Sequence, residues 1–256
     1  MHEITPIPAL KDNYIWMITR PGRDAALIVD PGEAKPVLEV LRKRQLTLMG
    51  ILVTHHHWDH TDGISELLEH FHVPVYGPAR DNVPTCTHPL SQGDHLDIPE
   101  LDCQFSILDI PGHTLGHIAF VGLGGVFCGD TLFSVGCGRI FEGTPEQMFQ
   151  SLQALAQLPR ETKVYCAHEY TQANLQFAKK VEPNNKTMLA HIDTCAALRA
   201  QHKPTLPSTI QLENAINPFL RCDEPSVRSA VVKQVGHTLD SPLAVFTALR
   251  EWKNHF

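Results

Sequence analysis

The segment Thr54-His55-His56-His57-Trp58-Asp59-His60 places four histidines and an aspartate directly after the apolar run Ile51-Leu52-Val53. Imidazole is the commonest metal ligand and carboxylate its usual hard companion. A chain that spends so many of both at one strand end must bring further ligands to the same place. Alternate residues of an extended segment point the same way. His55 and His57 therefore reach one ion together, and His56 points elsewhere. Asp59 and His60 lie further along, where the chain turns, and are placed to face a second ion.

Three later stretches repeat this pattern. Ile107-Leu108-Asp109-Ile110 leads into Pro111-Gly112-His113, Val126-Phe127-Cys128 into Gly129-Asp130, and Val164-Tyr165-Cys166 into Ala167-His168. Ligands leaving the ends of several strands converge on one edge of a sheet, where α/β proteins usually place their chemistry. The pooled set is His55, His57, Asp59, His60, His113, Asp130 and His168. It is too large for a single catalytic zinc, which takes three protein ligands and a water. It suits two ions a few ångströms apart. His55, His57 and His113 form a natural first set and Asp59, His60 and His168 a second. Asp130 is the natural bridge, because a carboxylate has two oxygens.

Charge counting then points to hydrolysis. Two divalent ions carry four positive charges; Asp59 and Asp130 remove two, and a hydroxide held between the ions removes a third. The remaining charge stabilises hydroxide at neutral pH and a developing oxyanion, so no separate general base is needed. His2, His70, His72, His88, His95, His191, His202, His237 and His255 read as ordinary surface or core histidines. His117 stays off the ligand set, as a candidate partner behind a ligand.

The periodicities predict strands at 13–19, 25–29, 48–53, 73–76, 105–110, 118–121, 126–128 and 163–166, with a hairpin at 122–125. Helices are predicted at 36–44, with Val37, Leu38 and Leu41 on one face, and at 62–71, where Ile64, Leu67, Leu68 and Phe71 follow helical spacing. Asp30-Pro31-Gly32 reads as a turn. Thr144 caps a helix with Pro145 at its first position and Gln147 completing a capping box; Met148, Leu152 and Leu155 are its buried face. After Tyr170 strand-like runs vanish, and helices are predicted at 171–181, 186–202, 226–235 and 242–253. The organisation expected is a mixed α/β domain over 1–168 and a smaller all-helical domain over 169–256.

With 43% hydrophobic residues in 256, the chain has ample core for either one large domain or two. A formal net charge of −7 disfavours a nucleic-acid partner held by its phosphates and favours a small molecule. Seven cysteines without a C-x-x-C pair suggest reduced, buried thiols in a cytoplasmic protein. The start of the chain lacks the form of a signal peptide, and no apolar run approaches the roughly 18 residues of a membrane span.

With its motifs placed, the chain resembles the metallo-β-lactamase superfamily, whose signature is T-H-x-H-x-D-H; His113, Asp130 and His168 fall in the later ligand positions. The resemblance implies an α/β, four-layered αβ/βα sandwich with metals at one edge. A closer resemblance, over nearly the whole chain, is to the glyoxalase II family of hydroxyacylglutathione hydrolases. It is carried by Ile7-Pro8-Ala9-Leu10-Lys11-Asp12-Asn13-Tyr14-Ile15-Trp16, Gly129-Asp130-Thr131-Leu132-Phe133, Gly136-Cys137-Gly138-Arg139, Ala167-His168-Glu169-Tyr170-Thr171, Pro204-Thr205-Leu206-Pro207-Ser208-Thr209 and Asn217-Pro218-Phe219-Leu220-Arg221.

That family implies hydrolysis of the thioester S-D-lactoylglutathione to glutathione and D-lactate, the second step of methylglyoxal detoxification, by a metal-bridging hydroxide held through Asp59 and Asp130. Two divalent ions are implied, zinc first, with iron(II) or manganese(II) accepted by the same ligands. Arg250 and Lys253 share a face of the last predicted helix, and the resemblance assigns them to the glycine carboxylate end of glutathione. It assigns Tyr170 to substrate contact. Arg139 stands where many members carry lysine and keeps the charge; Phe141 stands where some carry tyrosine and loses a hydroxyl. A cytoplasmic monomer is expected. The rivals are a persulfide dioxygenase of the same superfamily with one iron, which oxygen uptake would reveal, a nuclease of the same fold, which would need basic surface, and a non-catalytic metal-binding module.

Overall fold

Branched and aromatic runs become strands, and their two faces meet different layers. The computed structural model describes residues 1–83 and 85–256. It opens with β1 (Glu3–Ala9), β2 (Asn13–Thr19), β3 (Ala25–Val29), α1 (Ala34–Arg44), β4 (Thr47–Leu52), α2 (Trp58–Thr61), α3 (Ile64–His70), β5 (Val75–Pro78) and β6 (His88–Leu90). These strands form one sheet in chain order, antiparallel from β1 to β3 and parallel from β3 to β6. There follow β7 (His95–Ile98), β8 (Cys103–Asp109), β9 (Ile118–Gly122), β10 (Gly125–Gly129), a small hairpin of β11 (Leu132–Phe133) and β12 (Gly136–Cys137), α4 (Pro145–Ala156) and β13 (Lys163–Cys166). The chain ends with α5 (Thr171–Val181), α6 (Lys186–Ala200), β14 (Ser208–Thr209), α7 (Ile210–Ile216), α8 (Pro225–Val235) and α9 (Pro242–Asn254). The second sheet has the order β14-β13-β10-β9-β8-β7.

Every residue of β2 and β3 is buried, as in strands covered on both faces. Ile15, Met17, Ala26 and Ile28 pack with Val37, Leu41, Ile64 and Leu67 of α1 and α3. Their neighbours Trp16, Ile18, Leu27 and Val29 point the other way, into the core that holds Phe105, Ile107, Phe120 and Phe127 of the second sheet. Met148, Leu152 and Leu155 of α4 join that core, and so do Phe177, Phe219, Val245, Phe246 and Leu249 from beyond residue 168. The sandwich thus shares a core with α5, α8 and α9, while Leu175, Met188, Cys195 and Ile216 pack with Val135 in a smaller one.

The structure departs from the sequence expectations in a few elements. The helix expected over 62–71 is two helices, α2 and α3. They part at Gly63, where a Cβ would lie 2.6 Å from Pro31 O. β1 went unread because Pro6 and Pro8 interrupt its pattern; prolines suit its place at the sheet edge. β6, β7, α7 and the β11–β12 hairpin are too short to leave a periodic signal. The C-terminal region is not wholly helical: Ser208 and Thr209 form β14, which adds an antiparallel edge to β13.

Candidate metal centre

The ligand-type residues follow the ends of four strands: His55 and His57 after β4, His113 after β8, Asp130 after β10 and His168 after β13. β8, β10 and β13 run parallel to one another, with β9 antiparallel between the first two, so their ends share one edge. Gly129 has φ +47°, and a Cβ there would meet Thr54 Oγ1 at 2.3 Å. Only glycine makes that turn, and it delivers Asp130 inward. The first sheet is sewn to the same edge: Tyr14 N donates to Ala167 O at 2.6 Å and Trp16 Nε1 to Cys166 O at 3.0 Å.

All seven residues come together. One ligand atom each from His55, His57 and His113 falls within 4.8 Å of the others, and the same holds for Asp59, His60 and His168 and for His55, His60 and Asp130. Asp130 Oδ1 lies 3.4 Å from His60 Nε2 and 3.3 Å from His168 Nε2, and its Oδ2 lies 3.5 Å from His113 Nε2. Asp59 Oδ2 is 3.5 Å from both His60 Nε2 and His168 Nε2. A tetrahedral zinc with arms of about 2.05 Å has ligand atoms about 3.3 Å apart. The observed spacings are edges of such a polyhedron.

Groups behind the ligands fix which nitrogen faces inward. His60 Nδ1 donates to Asp30 Oδ2 at 3.1 Å and His168 Nδ1 to Asp12 Oδ1 at 2.9 Å. His113 Nδ1 donates to Arg139 O at 2.8 Å. Thr54 Oγ1 donates to Asp30 Oδ2 at 2.8 Å, so it accepts from His55 Nδ1 at 3.1 Å. Each of these imidazoles therefore presents the lone pair of Nε2 to the centre. Asn13 Nδ2 holds Asp59 Oδ2 at 3.1 Å.

The donor set fits divalent ions. His55 Nε2, His60 Nε2 and Asp130 Oδ1 are buried with no hydrogen-bond partner, a costly state for polar atoms unless an ion takes them. His57 Nδ1 and His113 Nε2 stand 3.0 Å apart and aim at a shared point. Electrostatics separates the two sets. Burial first, and neighbouring imidazoles with it, hold His55, His57 and His113 below the usual histidine range, in the neutral form that binds metal. Without an ion, burial also opposes charge on His60 and His168, but Asp130 and the carboxylates around it override it and push them up to about 10 and about 11, so an ion entering this set displaces the Nε2 protons to reach the lone pairs. Asp59, against its own burial, is drawn down to about 2 by His168 and His60.

The centre opens into a cleft of about 460 Å³ lined by His113, Asp130, Phe133, Arg139, Tyr170 and Lys253, among others. The Tyr170 ring stacks on His168 with centroids 4.6 Å apart and meets Phe133 edge-on at 5.2 Å. Phe141 is 63% exposed at the mouth, its ring 5.3 Å from that of His113. Lys253 Nζ lies over the rings of Phe177 and Phe256 at 5.1 and 5.3 Å; burial and then Arg250 lower its pKa. Arg250 is buried, and its Nη1 donates to Cys137 O at 2.8 Å while its Nε donates to Asn254 Oδ1 at 3.1 Å.

His56 turns away, its Nδ1 3.1 Å from Asp81 Oδ2 and its Nε2 3.3 Å from Glu142 Oε1. His117 stacks on His55 at 4.5 Å, and its Nε2 accepts from Asp130 N at 3.2 Å, so it holds the backbone of Asp130. Sequence reasoning missed Asp12, Asp30 and Asp81. Asp30 had a readable signal, since it follows an apolar strand in the same way as the ligands do. Asp81 had none: it accepts from Thr114 Oγ1 at 2.8 Å and Gly116 N at 2.9 Å from a loop without pattern.

Residues 10–168 match the family model described as the metallo-beta-lactamase superfamily, the class that the sandwich and its paired ligand groups define. Those groups make the chain a divalent-metal protein. Residues 169–256 match the model described as the hydroxyacylglutathione hydrolase C-terminus. The hydroxyacylglutathione hydrolase of Nitrosomonas eutropha is 52% identical over 256 residues, covering 100% of both chains. That of Vibrio cholerae serotype O1 is 54% identical over 257 residues with the same coverage. This chain belongs to the hydroxyacylglutathione hydrolase family. Among solved structures, ETHE1 from Myxococcus xanthus aligns over 99% of this chain and 98% of its own with a TM-score of 0.67 at 22% identity, a likeness of fold. The B3 metallo-beta-lactamase BLEG-1 aligns over 86% of this chain and 99% of its own, with a TM-score of 0.64 at 22% identity.

Proposed function

We propose that this chain hydrolyses S-D-lactoylglutathione to glutathione and D-lactate, using His55, His57 and His113 for one divalent ion, Asp59, His60 and His168 for another, and Asp130 between them. The observation that carries the reading is the joining of this centre, through one cleft, to the cations Arg139, Arg250 and Lys253. Full-length relatives named for this activity support it. When bound, such ions lower the pKa of water and supply positive charge where an oxyanion develops.

The chain's own groups do the rest. Asp12, Asp30, Thr54 and Arg139 O keep the imidazoles in one orientation, so the ligands need no rearrangement. Lys253 and Arg139 offer charge to the carboxylates of the glutathione moiety, and Tyr170, stacked on His168, forms an aromatic wall of the same cleft with Phe133. A substrate held this way would bring its thioester carbonyl to the centre. Water adds to that carbon, the C–S bond breaks, and the sulfur departs as thiolate, which needs no strong general acid. Zinc is the ion assigned, with iron(II) and manganese(II) chemically acceptable to the same donors. We assign residues 1–168 to catalysis and 169–256 to glutathione binding, in a cytoplasmic monomer; no helix of the described residues is long and apolar enough to cross a membrane.

The test measures S-D-lactoylglutathione hydrolysis and metal per chain on the same preparation. Asp130→Ala should lose metal together with activity, the latter on the order of 100-fold or more. A metal-loaded, fully active Asp130→Ala would sink the shared-carboxylate assignment, and an inactive, metal-loaded wild type would sink the substrate.

A further inference from the structure

The β11–β12 hairpin carries Phe133 and Cys137 into the cleft and leads directly to Arg139. Its turn is Ser134-Val135, and Val135 is fully buried with φ +59°. A β-branched side chain in the left-handed region persists only where its surroundings hold it. Side chains from beyond residue 168 do the holding. Val135 N donates to Glu213 Oε2 at 2.8 Å. Asn217 Nδ2 reaches Phe133 O at 3.2 Å and Gly136 O at 3.0 Å. Asn174 Nδ2 donates to Ser134 O at 3.0 Å.

Glu213 and Asn217 are both completely buried. A buried carboxylate is costly unless donors surround it. Glu213 has them: Ser208 Oγ on Oε1 at 2.6 Å, and Asn217 Nδ2 on Oε2 at 2.9 Å beside the Val135 amide. Apolar residues would fill this space at less cost, but they would leave the hairpin's amide and carbonyls unpaired.

We propose that Glu213 and Asn217 are positioning residues for the substrate cleft: they lock the strained hairpin so that Phe133, Cys137 and Arg139 line it, and thereby set KM for the glutathione thioester. This rests on the function proposed above. No ligand lies on the hairpin itself, and it meets the ligand set only at its ends, through Asp130 before it and the Arg139 carbonyl on His113 after it, so its turn bears on recognition more than on chemistry.

Two readouts test it. The first is the labelling rate of Cys137 by iodoacetamide, followed by peptide mapping, with the buried Cys128 and Cys166 of the second sheet as internal references. The second is KM and kcat for S-D-lactoylglutathione with metal content measured alongside. In Asn217→Ala, Cys137 should label at least about tenfold faster with both references still protected, and KM should rise about tenfold with kcat and metal little changed, the scale of one lost buried hydrogen bond. Glu213→Leu should behave likewise, and Glu213→Gln, whose amide oxygen still accepts from Val135 N, should recover most of what Glu213→Leu loses. Should Asn217→Ala fail to fold, Asn174→Ala, which removes the donor to Ser134 O at a residue that also lines the cleft, is read by the Cys137 labelling arm, where faster labelling supports the proposal and native protection overturns it. Native protection of Cys137, or an unchanged KM, overturns the proposal. A wild type inert toward the thioester would defeat the functional reading instead, and the labelling arm would still decide the hairpin.

Discussion

Lys253 is half-buried against two aromatic rings and shares its cleft with Arg139 and Arg250. Of the three, Arg250 already spends its guanidinium on Cys137 O and Asn254, which leaves Lys253 the freer charge for a carboxylate. Lys253→Ala should raise KM for S-D-lactoylglutathione roughly tenfold and leave kcat within about twofold, because the charge lies far from the reacting carbonyl. Steady-state kinetics checks this, and a proportionate fall in kcat would contradict it. At this scale the ligand set was readable because each member repeats one local rule, an apolar strand followed by a histidine or aspartate. Asp30 follows the same rule and His117 already stood out as a partner behind a ligand, but Asp12 acts on His168 through a contact that only the folded chain creates. The Asn174, Glu213 and Asn217 hold on the hairpin was hidden for the same reason.

Among the elements, α4 was legible in full: Thr144 and Gln147 exchange capping hydrogen bonds, and Met148, Leu152 and Leu155 are buried. Its signal lies within four consecutive residues. The tie between α5 and α8 has no such local mark. Glu182, at the end of α5, takes both Arg221 Nε at 2.9 Å and Nη2 at 3.0 Å, and Ser226 Oγ at 2.6 Å. Burial opposes its charge, but Arg221 and Ser226 prevail and hold its carboxyl below the ordinary 4.5. A carboxyl depressed in the folded state adds stability above the unfolded value, and that contribution fades as pH falls through the folded one. Glu182→Ala should cost about 3 kcal/mol at neutral pH. Its deficit against wild type, read from urea midpoints, should shrink below pH 4.5; a deficit constant with pH would contradict this.

For the whole molecule, the sequence texture divides at about residue 170, yet the largest core spans that divide. Phe177, Phe219, Phe246 and Leu249 sit in the same core as Trp16, Phe105 and Phe127. β14 even lends an edge strand from the later region to the earlier sheet. Composition and period report what a segment is made of, and neither reports which surfaces it closes. Metal-free protein should therefore unfold in a single calorimetric transition, with van't Hoff and calorimetric enthalpies equal. Two resolved transitions would show that the helices fold as an independent unit. The acidic balance of −7 and the cationic cleft are likewise properties of different scales. The total disfavours a polyanion, and the local cluster offers charge to a small one.

The bond from Asp12 to His168 joins residues 156 positions apart. Contacts of such long sequence separation close late, because chain entropy must be overcome before they return anything. A growing chain carries the His55 to His60 cluster long before it carries His168. The second set of ligands is complete only after more than a hundred further residues have been made and the two sheets have docked. The docking that closes the apolar core is thus also what completes the metal centre, and one event serves both.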